Sequence, residues 1–165
     1  ITVEPYAIKR GNGQNVHPWV MDLETKVIRA EACYQGAVAL KQSGFEPDVI
    51  LTHHGWGESL FLKDVWPNAR MGLYCELYHQ AGYPFVGFDP EFETGSQATD
   101  PMRLGLRNIS NDMHFDIADA GLSPTQFQAD TFPSSFRDKI SLSMMASTPI
   151  WSASIRRQLW RLGQI

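Results

Sequence analysis

The longest regular pattern in the chain is a stripe of apolar residues between Val20 and Ser43, spaced by three and four positions. Its members are Leu23, Val27, Ala30, Tyr34 and Ala37. This spacing places the side chains on one side of an α-helix, so the stripe predicts a helix over residues 20–43. Gly44 follows directly and is a typical helix terminator.

Short apolar runs and further helical patterns alternate along the rest of the chain. The runs predict strands in "ITVEPY", "DVILT", "RMGLYCE", "GLS" and "DKISL". The helical patterns cover residues 57–66, 101–120 and 124–132, and Ser123 is the expected N-cap of the last. This alternation indicates an α/β fold with a mostly parallel sheet. Such apolar runs are typical of parallel strands covered on both faces.

Three polar loops follow predicted strands, namely "THHGWGE", "CELYHQ" and "SPTQ". Ligands of open parallel sheets bind outside the carboxyl ends of the strands. Glu76, Ser123 and Thr125 are therefore candidate substrate-binding residues, together with the first loop. Residues 77–100 predict a long irregular loop, which in a compact domain is usually functional or mobile.

The loop "THHGWGE" concentrates residues suited to ligand binding. Gly55 and Gly57 allow a tight turn or a close approach of the backbone to a ligand. Gly57 also precedes a predicted helix, whose free N–H groups favour an anion. His53 can hydrogen-bond a sugar hydroxyl or a phosphate, and Trp56 can stack on a sugar. These residues can also have purely structural roles. His53 could be a hydrogen-bonded structural histidine, Trp56 a core residue, and Glu58 a charge that complements the helix dipole.

Composition excludes two classes of function. The 165 residues carry a formal net charge of −4 with no basic run, so we expect no nucleic-acid partner. No apolar stretch approaches the roughly 20 residues that span a bilayer, and no signal peptide is visible. Cys33 and Cys75 are expected to be free thiols in a reducing compartment.

Other catalytic chemistries fit the motifs poorly. "GWGES" places its serine wrongly for a nucleophile elbow, and no zinc motif is present. The acidic loop "GFDPEFE" contains Asp89, Glu91 and Glu93. These carboxylates could hold a divalent cation beside a diphosphate, as in a metal-dependent sugar-nucleotide enzyme, although such loops are usually just solvated.

Several blocks together resemble a known family. They are "HHGWGESLFLKDVWPNARMGLYCELYH", "VGFDPEF", "RLGLRN" and "ADAGLSPTQFQADTFPSSFRDKIS". In order and spacing they are similar to the N-terminal domain of bacterial glycosyltransferase family 4 proteins, over residues 1–142. The family usually shows His-Pro-Gly-Trp-Gly-Glu, and here His54 replaces the proline. The resemblance implies a Rossmann-like three-layer domain of the two-domain GT-B architecture.

The resemblance also implies a reaction. Family members transfer a sugar from a nucleotide-sugar to a glycan or lipid-linked acceptor with retention, and need no cofactor and no obligatory metal. Their N-terminal domain mainly holds the acceptor and their C-terminal domain the nucleotide. His53 matches a histidine that faces the donor sugar, so it is the candidate catalytic residue. The substrate would then be bound by Gly55, Trp56, Gly57 and Glu58. The resemblance also implies that the protein is cytoplasmic or peripheral at the inner membrane.

Two parts of the family pattern do not appear in the sequence. The first βαβ unit should precede Ile1, and the C-terminal domain should follow Leu142. Residues 143–165 do not resemble that domain. Read one base early, codons 143–149 are compatible with the family's Ile-His-Asp-Gly-Ile-Asp-Thr, which favours a frameshift over a divergent C-terminal helix. We therefore expect a chain that is inactive alone and has an apolar surface.

A non-catalytic sugar- or nucleotide-binding or regulatory module is the alternative. An intact second domain in another frame of the DNA downstream of codon 142 would favour the transferase. A stop directly after Ile165 in a short gene would favour the binding module.

Overall fold

The computed structural model describes residues 2–80 and 101–143, which form one four-stranded sheet and its helices. The strands are β1 (Val49–His53), β2 (Arg70–Tyr74), β3 (Ala120–Ser123) and β4 (Ile140–Leu142). The helices are α1 (Met21–Gln42), α2 (Leu62–Val65), α3 (Pro101–Ile117), α4 (Gln126–Ala129) and α5 (Ser134–Arg137). Neighbouring strands follow the order β1-β2-β3-β4 and all pair in parallel. The predicted α/β, Rossmann-like fold is confirmed.

Helix α1 agrees with its prediction to within one residue at each end. Gly44 terminates it with a positive φ of 89°. The Gly44 N–H donates to the Lys41 carbonyl at 2.9 Å, and the Phe45 N–H donates to the Leu40 carbonyl at 3.1 Å. This pair of bonds is the Schellman motif, in which a left-handed glycine satisfies the last carbonyls of the helix.

The buried core lies on one face of the sheet. Each helix contributes to it, through Ala37, Val65, Phe115, Ala129 and Phe136, which pack with Ile50, Met71, Leu73 and Ile140 of the strands. The rings of Phe115 and Phe136 stack with their centroids 4.2 Å apart. A Cβ on Gly121 would lie 2.9 Å from Ile140. Because Gly121 has no side chain, neighbouring core side chains can pack directly against the backbone of β3.

The opposite face of β1 is open. Leu51 is 61% exposed and Val49 is 37% exposed, whereas Ile50 between them is buried. A Cβ on Gly72 would come within 2.8 Å of Leu51, so the Leu51 side chain lies across β2 on this face. The apolar run "DVILT" predicts a strand covered on both faces, but in the described residues β1 alternates. Val49 and Leu51 are therefore exposed apolar residues on this face, and the expected apolar surface of the whole chain stays a prediction.

The predicted strand in "ITVEPY" is wrong. Residues 2–20 contain neither strand nor helix. Side-chain hydrogen bonds hold this segment instead. The Tyr6 hydroxyl donates to Glu58 at 3.1 Å, and the Gly13 N–H donates to Glu24 at 3.0 Å. Because its attachments are side chains of the loop after β1 and of α1, the segment lies along other elements rather than in the sheet.

The predicted helix over residues 57–66 is shorter than expected. Only Leu62–Val65 is helical, and residues 58–61 form turns. Gly57 has a φ of 92°, which lies outside the helical region. The anion site predicted at the N-terminus of this helix therefore does not begin at Gly57.

Two further details near the end of the chain differ from the sequence-based predictions. The N-cap of α4 is Thr125, not Ser123, because Thr125 has extended backbone angles and its Oγ1 accepts the Gln128 N–H at 3.1 Å. Helix α5 was not predicted, since a single turn carries no periodic pattern. The predictions for residues 81–100 and 144–165 lie outside the described part of the chain.

No helix in the described ranges is long and apolar enough to cross a membrane. Cys33 and Cys75 are both free, as predicted. Burial raises the pKa of the Cys75 thiol to about 12, so this cysteine remains protonated and unreactive.

Candidate functional site

A cavity of about 230 Å³ lies beside the carboxyl ends of β1 and β2. Its lining includes Lys26, His53, Trp56, Glu76, His79 and Asn111. These residues come from α1, from the end of β1 and the loop after it, from the segment after β2 and from α3. The prediction that "THHGWGE" lies at the carboxyl edge of a parallel sheet is confirmed.

His53 is the last residue of β1, and its ring orientation is fixed from both sides. The Gly55 N–H donates to Nδ1 at 3.0 Å. Nδ1 is therefore an acceptor, so the proton of the neutral ring resides on Nε2. Nε2 lies 3.1 Å from the Glu76 carboxylate. His53 thus presents a hydrogen-bond donor to the cavity, and Glu76 presents an acceptor beside it.

Gly55 lies directly against the His53 ring. A Cβ at Gly55 would lie 3.0 Å from Cε1 and 3.3 Å from Nδ1 of His53. These contacts are tighter than ordinary van der Waals packing, so a Cβ at residue 55 would require the imidazole to shift by a few tenths of an ångström. Gly55 therefore positions His53 in the described structure.

Trp56 borders the cavity and is 56% exposed. Its ring centroid lies 5.9 Å from that of His53, and the Arg29 guanidinium lies 5.4 Å from the Trp56 ring. The sequence allowed a core tryptophan or a ligand contact. The exposure excludes the core interpretation, and the ligand contact stays a prediction.

Glu58 makes its contacts with α1 and with the N-terminal segment. Its carboxylate pairs with Arg29 at 3.0 Å and accepts the Tyr6 hydroxyl at 3.1 Å. The pKa of Tyr6 is raised by burial and by this carboxylate. Glu58 thereby ties the loop after β1 to α1 and to the N-terminal segment.

Gly57 makes a close approach, but to α1. A Cβ at Gly57 would lie 2.6 Å from Cβ and 2.7 Å from the carbonyl oxygen of Lys26. The positive φ and this contact together make glycine necessary here. Gly57 sets the distance between the loop and α1 and so helps to shape the cavity wall.

His54 holds the floor of the site. It is 2% exposed. Its Nε2 accepts the Glu76 N–H at 3.3 Å, so its proton resides on Nδ1, which donates to Asn111 Oδ1 at 2.7 Å. Asn111 in turn donates to Asn108 at 3.1 Å. His54, noted in the sequence only as a departure from the family pattern, connects β1, β2 and α3.

The segment that follows β2 is held by side chains rather than by a sheet. Asn108 Oδ1 accepts the His79 N–H at 3.1 Å, and its Nδ2 donates to the His79 carbonyl at 2.6 Å. Thr131 Oγ1 accepts the Tyr78 N–H at 2.9 Å. These bonds fix Glu76 and His79 at the cavity although their backbone has no regular structure.

A second buried chain of hydrogen bonds fixes the turns after Gly57. The Thr52 hydroxyl donates to Ser59 at 2.8 Å, and Ser59 lies 2.7 Å from His114 Nε2. His114 Nδ1 lies 2.7 Å from the Ser110 carbonyl, which can only accept, so Nδ1 carries the proton and Nε2 accepts from Ser59. Because Ser59 and His114 are both buried, this pair supports the fold and does not face substrate.

Sequence reasoning missed Lys26, Asn108, Asn111 and His114. A signal for three of them was present. Asn108, Asn111 and His114 recur every three residues in α3, and such a spacing puts polar residues on one side of a helix. A polar stripe that faces the core must be hydrogen-bonded, so it indicates a buried network.

Ser123 and Thr125 lie at the carboxyl end of β3 but do not border the cavity. The buried Ser123 hydroxyl donates to the Thr125 carbonyl at 3.4 Å. Thr125 caps α4. The structure brings His53, Gly55, Trp56 and Glu76 together at the cavity and leaves these two residues apart from them.

No group of three or more potential metal ligands occurs among residues 2–80 and 101–143. Asp89, Glu91 and Glu93, the alternative cation ligands, lie outside the described residues.

We predict that the free energy of unfolding decreases as the pH is lowered from about 6.5 to about 4. Burial, foremost, lowers the pKa of His54 from 6.5 to about 4. Between these values the unfolded chain binds a proton that the folded chain does not. Stability is therefore lost over this window, by about 3 kcal/mol for His54 alone. Burial also lowers the pKa of His79 and His114, which adds in the same direction.

Urea unfolding at pH 7 and at pH 4.5 measures this effect. His54→Gln keeps a hydrogen-bond donor and an acceptor but removes the titration, so its stability should depend less on pH. His17→Gln is the matched control, because His17 is exposed. An unchanged pH dependence in His54→Gln would contradict the assignment.

The fold and the site together define a Rossmann-like α/β domain with a polar, aromatic pocket at the carboxyl edge of its parallel sheet. The chain belongs to the glycosyl transferase family 4 group, because the sequence model of that family matches residues 1–145. The family resemblance inferred from the sequence blocks is thus confirmed. No curated protein matches the chain, and no solved structure matches it.

Proposed function

We propose that the chain is the acceptor-side part of a glycosyltransferase that moves a sugar from a nucleotide-sugar to a glycan or lipid-linked acceptor with retention. Membership of the glycosyl transferase family 4 group supports transfer of a sugar as the reaction. The observation that carries the assignment to this site is the cavity in which His53, Glu76 and Trp56 meet.

The geometry of the cavity suits a sugar hydroxyl. A hydroxyl both donates and accepts a hydrogen bond. His53 Nε2–H can donate a hydrogen bond to the oxygen of such a hydroxyl, and the Glu76 carboxylate can accept a hydrogen bond from the same hydroxyl. The sugar hydroxyl would then replace the direct 3.1 Å contact between His53 and Glu76. Trp56 offers its exposed ring to the apolar C–H face of the same sugar.

A second domain would hold the nucleotide-sugar opposite this wall, as the two-domain architecture implies. In the transfer, the bond between the anomeric carbon and the diphosphate oxygen breaks, and a bond to the acceptor hydroxyl oxygen forms. The nucleoside diphosphate leaves, and the acceptor proton is released. Holding both substrates in register can supply about 7–11 kcal/mol of barrier lowering, which explains why we expect both domains to be needed.

The experiment titrates a saccharide into the 165-residue chain and monitors binding through the NMR signals of the backbone amides and tryptophan indoles. We expect a neutral sugar such as glucose to perturb the signals of Gly55, Trp56 and Glu76. Trp56→Ala should weaken binding about fivefold, since an aromatic contact contributes about 1 kcal/mol. Phe45→Ala, which removes another exposed aromatic residue outside the cavity, is the control.

Saccharide binding that leaves these signals unchanged would place the acceptor elsewhere and overturn the site assignment. Equal affinities for the wild type and for Trp56→Ala would do the same.

A further inference from the structure

Lys26 is a buried cation beside the cavity. The residue is 9% exposed, although lysine is rarely buried unless it is paired. Its Nζ lies 3.0 Å from the Asp22 carboxylate and donates to the Arg107 carbonyl at 3.4 Å. An ammonium group has three N–H donors. Among the described residues, therefore, at least one Lys26 donor has no partner.

Apart from Asp22, no described carboxylate forms an ion pair with Lys26, and the nearby imidazole rings carry no compensating charge. Burial, foremost, lowers the pKa values of His54, His79 and His114, and the charge of Lys26 contributes to each shift. These rings are consequently neutral at pH 7. The Glu76 carboxylate on the cavity lining accepts a hydrogen bond from the neutral His53 ring at 3.1 Å and keeps its own negative charge.

Asp22 is a replaceable partner for Lys26. Its side chain is 49% exposed, whereas the Lys26 side chain is only 11% exposed. Asp22 can therefore return to water at little cost if another anion approaches, but Lys26 cannot leave the cavity wall. A ligand oxyanion would meet a fixed cation with a donor that no other described residue uses, which is a favourable setting for a charge-assisted hydrogen bond.

We propose that Lys26 forms an anionic subsite, which binds a carboxylate or phosphate group carried by the saccharide in the cavity. The proposal rests on the proposed function, because His53, Glu76 and Trp56 are taken to hold the sugar. Lys26 would then select charged saccharides, such as a uronic acid or a sugar phosphate, over neutral ones. Asp22 would occupy the subsite when no ligand is bound.

The test compares the affinities of glucuronate, glucose 1-phosphate and glucose for the 165-residue chain by NMR titration. We expect at least one anionic probe to bind about tenfold more tightly than glucose. Preference for glucuronate identifies a carboxylate source, and preference for glucose 1-phosphate identifies a phosphate source. No preference for either anionic probe would overturn the proposal.

Two variants should act in opposite directions. Lys26→Met should remove the preference for the anionic probe over glucose. Asp22→Asn should raise the affinity for the anionic probe severalfold, because it removes the competing carboxylate. A merely structural lysine would give neither change in preference. Lys139→Met is the matched control, since Lys139 donates to the Ala118 carbonyl in another part of the fold.

Asp22→Asn keeps the proposal falsifiable if Lys26→Met fails to fold, because Asp22 is half-exposed. An unchanged anion affinity in Asp22→Asn would overturn the subsite. Inorganic phosphate is the final probe. Binding of phosphate through Lys26 without any binding of glucose would support the subsite and refute the proposed function, so the two failures are distinguishable.

Discussion

Gly57→Ala is expected to destabilise the domain by about 3–5 kcal/mol. Two independent costs add at this position. The φ of 92° is unfavourable for any residue with a Cβ. The new Cβ would also lie 2.6–2.8 Å from Cβ, the carbonyl oxygen and Cα of Lys26. Because these are backbone atoms of α1 and the Cβ attached to it, they cannot move aside without shifting the helix.

Gly44→Ala is a matched control that separates the two costs. Gly44 has a similar φ of 89°, but a Cβ there would meet nothing within 4 Å. Its cost in urea unfolding should be about 1 kcal/mol, that of the backbone conformation alone. Gly105→Ala, in helix α3 with open space around it, should instead stabilise by about 0.5–1 kcal/mol. A Gly57→Ala cost no larger than that of Gly44→Ala would show that the contact with α1 is not tight.

The elements that the sequence predicted well are those with a sustained pattern or a terminating residue. The apolar stripe and Gly44 defined α1, and the apolar runs located all four observed strands. The failures occur where tertiary contacts decide the backbone. Residues 58–61 belong to the predicted helical segment, but the close packing of Gly57 on Lys26 and the Ser59–His114 bond hold them in turns.

The position of the site followed from topology, whereas its internal geometry did not. A loop after a parallel strand must lie at the carboxyl edge, so His53 and Trp56 could be placed in advance. The contact of His54 with Asn111 joins residues 57 positions apart, and no local pattern encodes such a pairing. For the same reason, the sequence indicates a tight turn or an approach to a ligand at Gly57 without distinguishing them, and the structure shows a turn with positive φ packed against α1.

His53→Ala should lower kcat about 100-fold in the proposed two-domain enzyme, while acceptor affinity changes only a fewfold. The loss follows from removing a preorganised donor, a change that typically costs a factor of about 100 or more when the donor acts in the transition state. The proton on Nε2, fixed by the Gly55 N–H on Nδ1, is what makes His53 a donor rather than a base. His17→Ala, at an exposed histidine outside the cavity, should be nearly neutral.

Glu76→Gln provides the second arm of this experiment. If His53 and Glu76 bind the same hydroxyl, the double variant should lose less activity than the product of the single losses, because either change breaks the shared arrangement. Steady-state kinetics on the four proteins gives this coupling. Independent effects would show that the two side chains act on different groups, and full activity of His53→Ala would remove His53 from the catalytic site.

Sugar transfer by the 165-residue chain alone would refute the need for a second domain, because the donor would then bind to this wall of the cleft.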